Sequence, residues 1–109
     1  MSSSPDCLMI VTAHIDAEVE DEWNRWYDAV HLPEALACPG VFSGRRYVSS
    51  GEASITEKGE KSSDTKRIYT TIYEIEGPHV LETEEFGAMR GWYQFTDRIQ
   101  ATTRVVTAL

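Results

Sequence analysis

Trp23, Tyr27 and His31 are four residues apart, so a helix would carry them on one stripe. An indole, a phenol and an imidazole in line can wall an apolar pocket and place a proton-transfer group at its end. A stripe that served only the core would more often be built from Leu, Ile and Ala. Imidazole takes or gives a proton near pH 7 with little tuning, which makes His31 the first catalytic candidate. Tyr27, one turn earlier, is placed to orient His31 or to hydrogen-bond a substrate oxygen. Glu34 or Asp28 would set the imidazole tautomer, although Asp28 faces another side of an ideal helix. Trp26 adds a second indole that would help to exclude water. The plainer alternative is a helix-end histidine bonded to a backbone carbonyl.

The other candidates lie on strands and connectors. His14 and Asp16 alternate onto the same face of an N-terminal strand, as an acid–base pair, a buried pair or part of a dimer face. Three histidines in the chain and no third ligand near this pair argue against a metal. His79 reads as an exposed residue of a second helix. Tyr69, Tyr73, Trp92, Tyr93 and Phe95 offer more aromatic surface than a minimal core needs, and would suit a flat organic ring. Tyr73 is the second candidate hydrogen-bond donor, with Trp92 a pocket wall. Among the strand arginines 45, 46, 98 and 104, one such as Arg46 could hold a substrate carboxylate or enolate instead of pairing with protein carboxylates. The chain has no GxGxxG, no Walker loop, no GxSxG elbow and no metal cluster, so the expectation is a protein without cofactor or metal.

These residues need a scaffold. Residues 7–16 are apolar and partly β-branched on both faces, which predicts a strand inside a sheet. Asp16 is positioned to cap a helix whose first turn holds Glu18, Glu20, Asp21 and Glu22. Pro33 should kink or divide that helix, leaving His31 at the break. Cys38-Pro39-Gly40 ends it. Residues 41–49 predict a second strand. Residues 50–65 are rich in Ser, Gly, Glu and Lys without apolar period, and predict a mobile loop or a long hairpin tip. Residues 66–76 read as a third strand, 78–89 as a second helix and 97–109 as a last strand. The order βαββαβ predicts an α+β, ferredoxin-like domain: a four-stranded antiparallel sheet with two helices on one face. Its open, partly apolar face predicts a face-to-face homodimer.

The bulk properties agree. A chain of 109 residues predicts one domain over 1–109, with residues 1–6 a flexible tail rather than a signal peptide. The net charge of −8 argues against nucleic-acid binding and against docking on anionic membranes. No apolar run is long enough to span a bilayer. Cys7 and Cys38 read as packed thiols of a cytoplasmic protein, with a disulfide between them as the alternative.

The run His31-Leu32-Pro33-Glu34-Ala35-Leu36-Ala37-Cys38-Pro39-Gly40-Val41, followed by Arg45-Arg46-Tyr47, resembles the dimeric α/β-barrel superfamily, and within it EthD-like and muconolactone-isomerase-like proteins. The element order extends this resemblance over the chain; the local motif covers residues 23–47. In methylmuconolactone methylisomerase-type members a helix histidine is implicated in catalysis, and His31 is the matching position. The resemblance implies a cofactor-independent enzyme acting on a small cyclic or aromatic-derived oxygenated metabolite. Isomerisation, cyclisation or elimination by acid–base chemistry is the leading expectation. The alternatives are a cofactor-free monooxygenase of a phenolic substrate and a non-catalytic ligand-binding or accessory dimer.

Overall fold

The computed structural model describes residues 4–50, 53–64 and 66–109. Residues 1–3 of the expected tail, and 51, 52 and 65 of the expected loop, lie outside the described residues.

Strand β1 (Cys7–Ile15) alternates strictly. Cys7, Met9, Val11, Ala13 and Ile15 are buried, whereas Leu8, Ile10, Thr12 and His14 face the other way and are half-buried. Two-sided apolar content places β1 inside the sheet, as expected. It pairs antiparallel with β5 (Tyr69–Ile75) on one side and β6 (Ile99–Thr107) on the other. Strand β2 (Val41–Val48) borders β5, giving the order β2-β5-β1-β6. This is the ferredoxin-like, four-stranded antiparallel sheet that the order of elements predicts.

The helical arm between β1 and β2 is segmented. A 3-10 turn (Ala17–Val19) leads into α1 (Glu20–Trp26), then a π-helical turn (Tyr27–His31), then α2 (Leu32–Leu36). The wide turn has a local cause. Pro33 offers no N–H to the carbonyl four residues back, and its ring would crowd that carbonyl in a regular helix. The Leu32 N–H instead reaches back five residues to the Tyr27 carbonyl. His31 therefore sits at the division, where Pro33 was expected to put it. Asp16 does not cap this arm with its side chain. Its carboxylate accepts from Arg98 Nε at 2.7 Å, because β1 and β6 bring the two ends together.

The segment after β2 forms a separate hairpin, β3 (Ala53–Glu57) and β4 (Glu60–Asp64). Lys58 and Gly59 both take positive φ, 49° and 84°, as a two-residue hairpin turn requires. The second helical region is also broken. A 3-10 turn over Pro78–Glu82 stops at extended Thr83, whose Oγ1 accepts from the Phe86 N–H and starts α3 (Glu84–Met89). A further 3-10 turn (Tyr93–Arg98) leads into β6. The core fills the space between the inner sheet face and these helical segments in two clusters. One is built around Met9, Tyr73 and Phe86, the other around Trp23, Tyr27 and Phe95.

Candidate functional site

A cavity of about 330 Å³ opens between the inner sheet face and the two helical regions. Met9 and Val11 of β1 and Tyr73 of β5 form its floor. Tyr27, His31 and Ala35 form one wall, all from the divided helical arm. The opposite wall comes from α3 and the connector after it: Phe86, Met89, Arg90, Gly91 and Trp92.

His31 is held by rings rather than by hydrogen bonds. Its imidazole stacks on Trp26 with centroids 4.6 Å apart and an angle of 19°. The Tyr27 ring meets it edge-on at 4.8 Å, and Trp92 lies at 5.3 Å. Neither ring nitrogen is hydrogen-bonded to a described residue. Burial, helped by the Arg46 cation, depresses its pKa to about 4. His31 is therefore a neutral imidazole near pH 7, with an acceptor nitrogen available to a ligand.

Beside it the Tyr27 and Tyr73 hydroxyls lie 3.1 Å apart. Burial raises the pKa of both phenols. For Tyr73 the neighbouring Tyr27 adds to the effect, whereas for Tyr27 the hydroxyls of Thr71 and Tyr73 oppose it. Both phenols stay protonated. Only one of their protons can lie between the two oxygens, so the pair retains a donor for a third group. Gly44 on β2 allows this arrangement. A Cβ there would come within 2.8 Å of the Tyr73 ring and 3.1 Å of Leu32.

The remaining predicted site residues stand further back. Trp23 is fully buried behind Tyr27 and does not line the cavity. Trp26 supports His31 from its outer side and is itself covered by Tyr93, stacked at 6.1 Å. Arg46 lies 4.2 Å from the centroid of the Tyr27 ring. Asp28 and the Asn24 side-chain oxygen each accept a 2.7 Å hydrogen bond from its guanidinium. Arg46 therefore braces the wall instead of entering the cavity. Asp28 pairs with Arg46 and not with His31. Glu34 lies outside the cavity, on a shallow surface depression with Cys38 and Glu85. His14 lies on the outer sheet face, its Nδ1 3.2 Å from the Arg67 carbonyl oxygen. Tyr27, His31, Tyr73 and Trp92 are thus the predicted residues that meet in one cavity.

The wall from α3 was not singled out in the sequence. Phe86 and Met89 are three residues apart after a Thr83 cap, and that helical spacing was the available signal. Arg90 and Gly91, which follow the helix, carried no such signal. Among the described residues, no group of three or more His, Cys, Asp or Glu is placed to hold a metal ion. No described helix is long and apolar enough to cross a membrane.

No protein-family model matches this sequence, and no curated protein does. Solved structures do match its fold. An ethyl tert-butyl ether degradation (EthD) family protein from Bacillus halodurans is 13% identical, with 94% of this chain and 99% of that one covered and a TM-score of 0.62. The chain has a ferredoxin-like fold shared with EthD-family proteins. A crystal structure of an antibiotic biosynthesis monooxygenase gives 15% identity, coverage of 94% and 98%, and a TM-score of 0.62. HapK from Hahella chejuensis gives 13%, 94% and 92%, and 0.61. At these identities the likeness is one of fold.

Proposed function

We propose that this protein is a cofactor-independent acid–base enzyme for a small oxygenated ring compound, with His31 as the proton-transfer group. The observation that carries this reading is an imidazole with no hydrogen bond to any described residue, in an apolar cavity beside a pair of protonated phenols. Neutral His31 takes a proton from carbon next to a carbonyl. The developing enolate oxygen accepts from the Tyr27–Tyr73 pair, a donor set already in place before reaction. The imidazolium then returns its proton to another carbon, giving isomerisation, or to a leaving group, giving elimination. Burial makes an isolated imidazolium costly, but an enolate formed beside it offsets that cost. Trp92 and Trp26 limit access of water to this ion pair.

The outer sheet face supports a homodimer. Leu8, Ile10, Ile72 and Val106 share that face by register and are half-buried in the single chain. A second copy packed on it would cover this apolar strip. Free, buried Cys7 and Cys38 accord with a reducing cytoplasm.

Deuterium uptake is the direct test. Small lactones, β-keto acids and phenols are incubated with the protein in heavy water, and exchange next to the carbonyl is followed by NMR. The expected result is exchange that His31→Gln lowers at least about 100-fold, within the usual range for general acid–base catalysis. Undiminished exchange in a folded His31→Gln protein would remove His31 from the mechanism. Oxygen uptake during turnover would assign the protein to the monooxygenase class instead. Light scattering on wild type and Ile10→Lys checks the dimer, which the charge should dissociate.

A further inference from the structure

Arg90 closes α3, with its N–H bonded to the Phe86 carbonyl at 3.1 Å. Its guanidinium lies 5.6 Å from the Phe86 ring centroid, and Arg90 is among the residues that line the cavity. It makes no hydrogen bond or ion pair with any described residue. Arg46, Arg67 and Arg98 each pair with a carboxylate; Arg25, Arg45 and Arg104 pair with none among the described residues, but unlike Arg90 they do not line the cavity. Carboxylates are not scarce: Asp and Glu number 18 against 10 Lys and Arg, and Glu82, Glu84 and Glu85 lie in the segment just before Arg90. What sets Arg90 apart is its place: it is the arginine that lines the cavity, and without a carboxylate partner among the described residues it is positioned to serve a group from outside. Resting on an aromatic face, its planar fork is free to meet a carboxylate through two parallel hydrogen bonds. Apolar walls on one side strengthen such a pair relative to bulk water.

The cavity limits the rest of the ligand. About 330 Å³ lies at the small end of ligand pockets, which run from roughly 300 to 1,000 Å³. A small ring compound fits that space. We infer that the cavity takes a small ring substrate bearing a carboxylate, with the ring inside against Trp92 and the carboxylate at the edge on Arg90. This rests on reading the cavity as the site of the acid–base reaction, and it makes Arg90 the residue that selects anionic substrates. The competing role for Arg90 is a cation at a helix C-terminus, which would affect stability but not ligand choice.

The test uses an anionic probe and a neutral one with the same ring, 4-hydroxybenzoate and its methyl ester. Their affinities for wild type, Arg90→Gln and Arg90→Lys are measured by calorimetry, with the His31 ring signals followed by NMR. The acid should bind wild type about tenfold more tightly than the ester, the scale of one charge-assisted contact. Arg90→Gln should abolish that preference while changing ester affinity less than about twofold, and Arg90→Lys should restore part of it. Equal binding of acid and ester by wild type overturns the inference, as does a preference that survives in Arg90→Gln. In both cases His31 signals that move with the ester leave the acid–base reading standing. If neither probe moves them, the reading of the cavity falls, and the role of Arg90 falls with it.

Discussion

His31 and His14 both lie near the sheet, but in opposite surroundings. His31 faces an apolar cavity on the inner side, packed by Trp26, Tyr27 and Trp92 and without a hydrogen bond to any described residue. His14 lies on the outer side, bonded to the Arg67 carbonyl, where Arg98 pairs with Asp16 and Glu18 and Arg67 pairs with Glu20. The outer cluster has more charge and less chemical capacity, because its cations already have partners. The inner site has few polar atoms, and the His31 nitrogens remain free to meet a substrate. The proposal therefore places the reaction where polar capacity is unsatisfied in an apolar cavity, and not where charge is densest.

The sharpest way to break this comparison is to remove each imidazole. His31→Gln should cost at least about 100-fold in turnover of any substrate found, against less than about twofold for His14→Gln. Steady-state kinetics on both variants decides it, and equal losses would erase the distinction between the two sites. Conservative Tyr27→Phe and Tyr73→Phe changes should fall between these limits, since each removes a donor while leaving the wall in place.

Next in size is the packing that sets the inner site. Gly44→Ala places a methyl group against the Tyr73 ring at under 3 Å. It should destabilise the fold by about 1–3 kcal/mol through overpacking and lower activity by displacing the Tyr73 hydroxyl. Gly87→Ala is the control. It lies inside α3 with nothing within 4 Å of the added atom, so it should stabilise by about 0.5–1 kcal/mol and leave activity unchanged. Urea denaturation of the pair separates loss of space at Tyr73 from a general effect of adding a methyl group.

The inner site was largely legible in the sequence because two regular periods carry it. Four-residue spacing puts Tyr27 and His31 on one wall, and strand alternation turns Met9, Val11 and Tyr73 inward. The role of Arg46 was not legible. Its inward register shows it facing the helices, but only the packed structure shows Asp28 and Asn24 holding it against Tyr27. Asp16 misled for a related reason: a residue suited to helix capping was drawn instead to Arg98, which is 82 positions away in sequence and adjacent through the β1–β6 pairing. The π-helical turn was legible only as a disturbance at Pro33, since propensity marks where a helix must yield but not by which route. The second helix was legible over residues 78–89, but six α-helical residues carry too little periodicity to mark Phe86 and Met89 as a cavity wall.

Stability against pH sharpens the contrast further. His31 titrates near 6.5 when unfolded and near 4 when folded. Between those values the unfolded chain holds the extra proton, so acid favours unfolding. The contribution of neutral His31 is complete above about pH 6.5, shrinks as pH falls and levels off below about pH 4. After allowance for solvent access it amounts to roughly 2 kcal/mol. Urea titrations at several pH values should show this slope in wild type and a flatter one in His31→Gln. An identical slope in both would mean that His31 titrates alike in the folded and unfolded chains.

The smallest effect belongs to the outer cluster, and it tests whether density of charge matters there at all. Arg98 donates to Asp16 at 2.7 Å and to Glu18 at 2.9 Å, two close contacts by distance. Both carboxylates are exposed, so water and salt compete with the guanidinium for them. Arg98→Gln should leave the denaturation midpoint unshifted within error, and any residual difference should vanish in about 0.5 M salt. Ligand affinity and turnover should stay at wild-type levels, because no atom of this cluster reaches the cavity on the inner face. A clear loss of activity in Arg98→Gln would tie the outer cluster to the reaction, and the division between a reactive inner site and a saturated outer one would no longer hold.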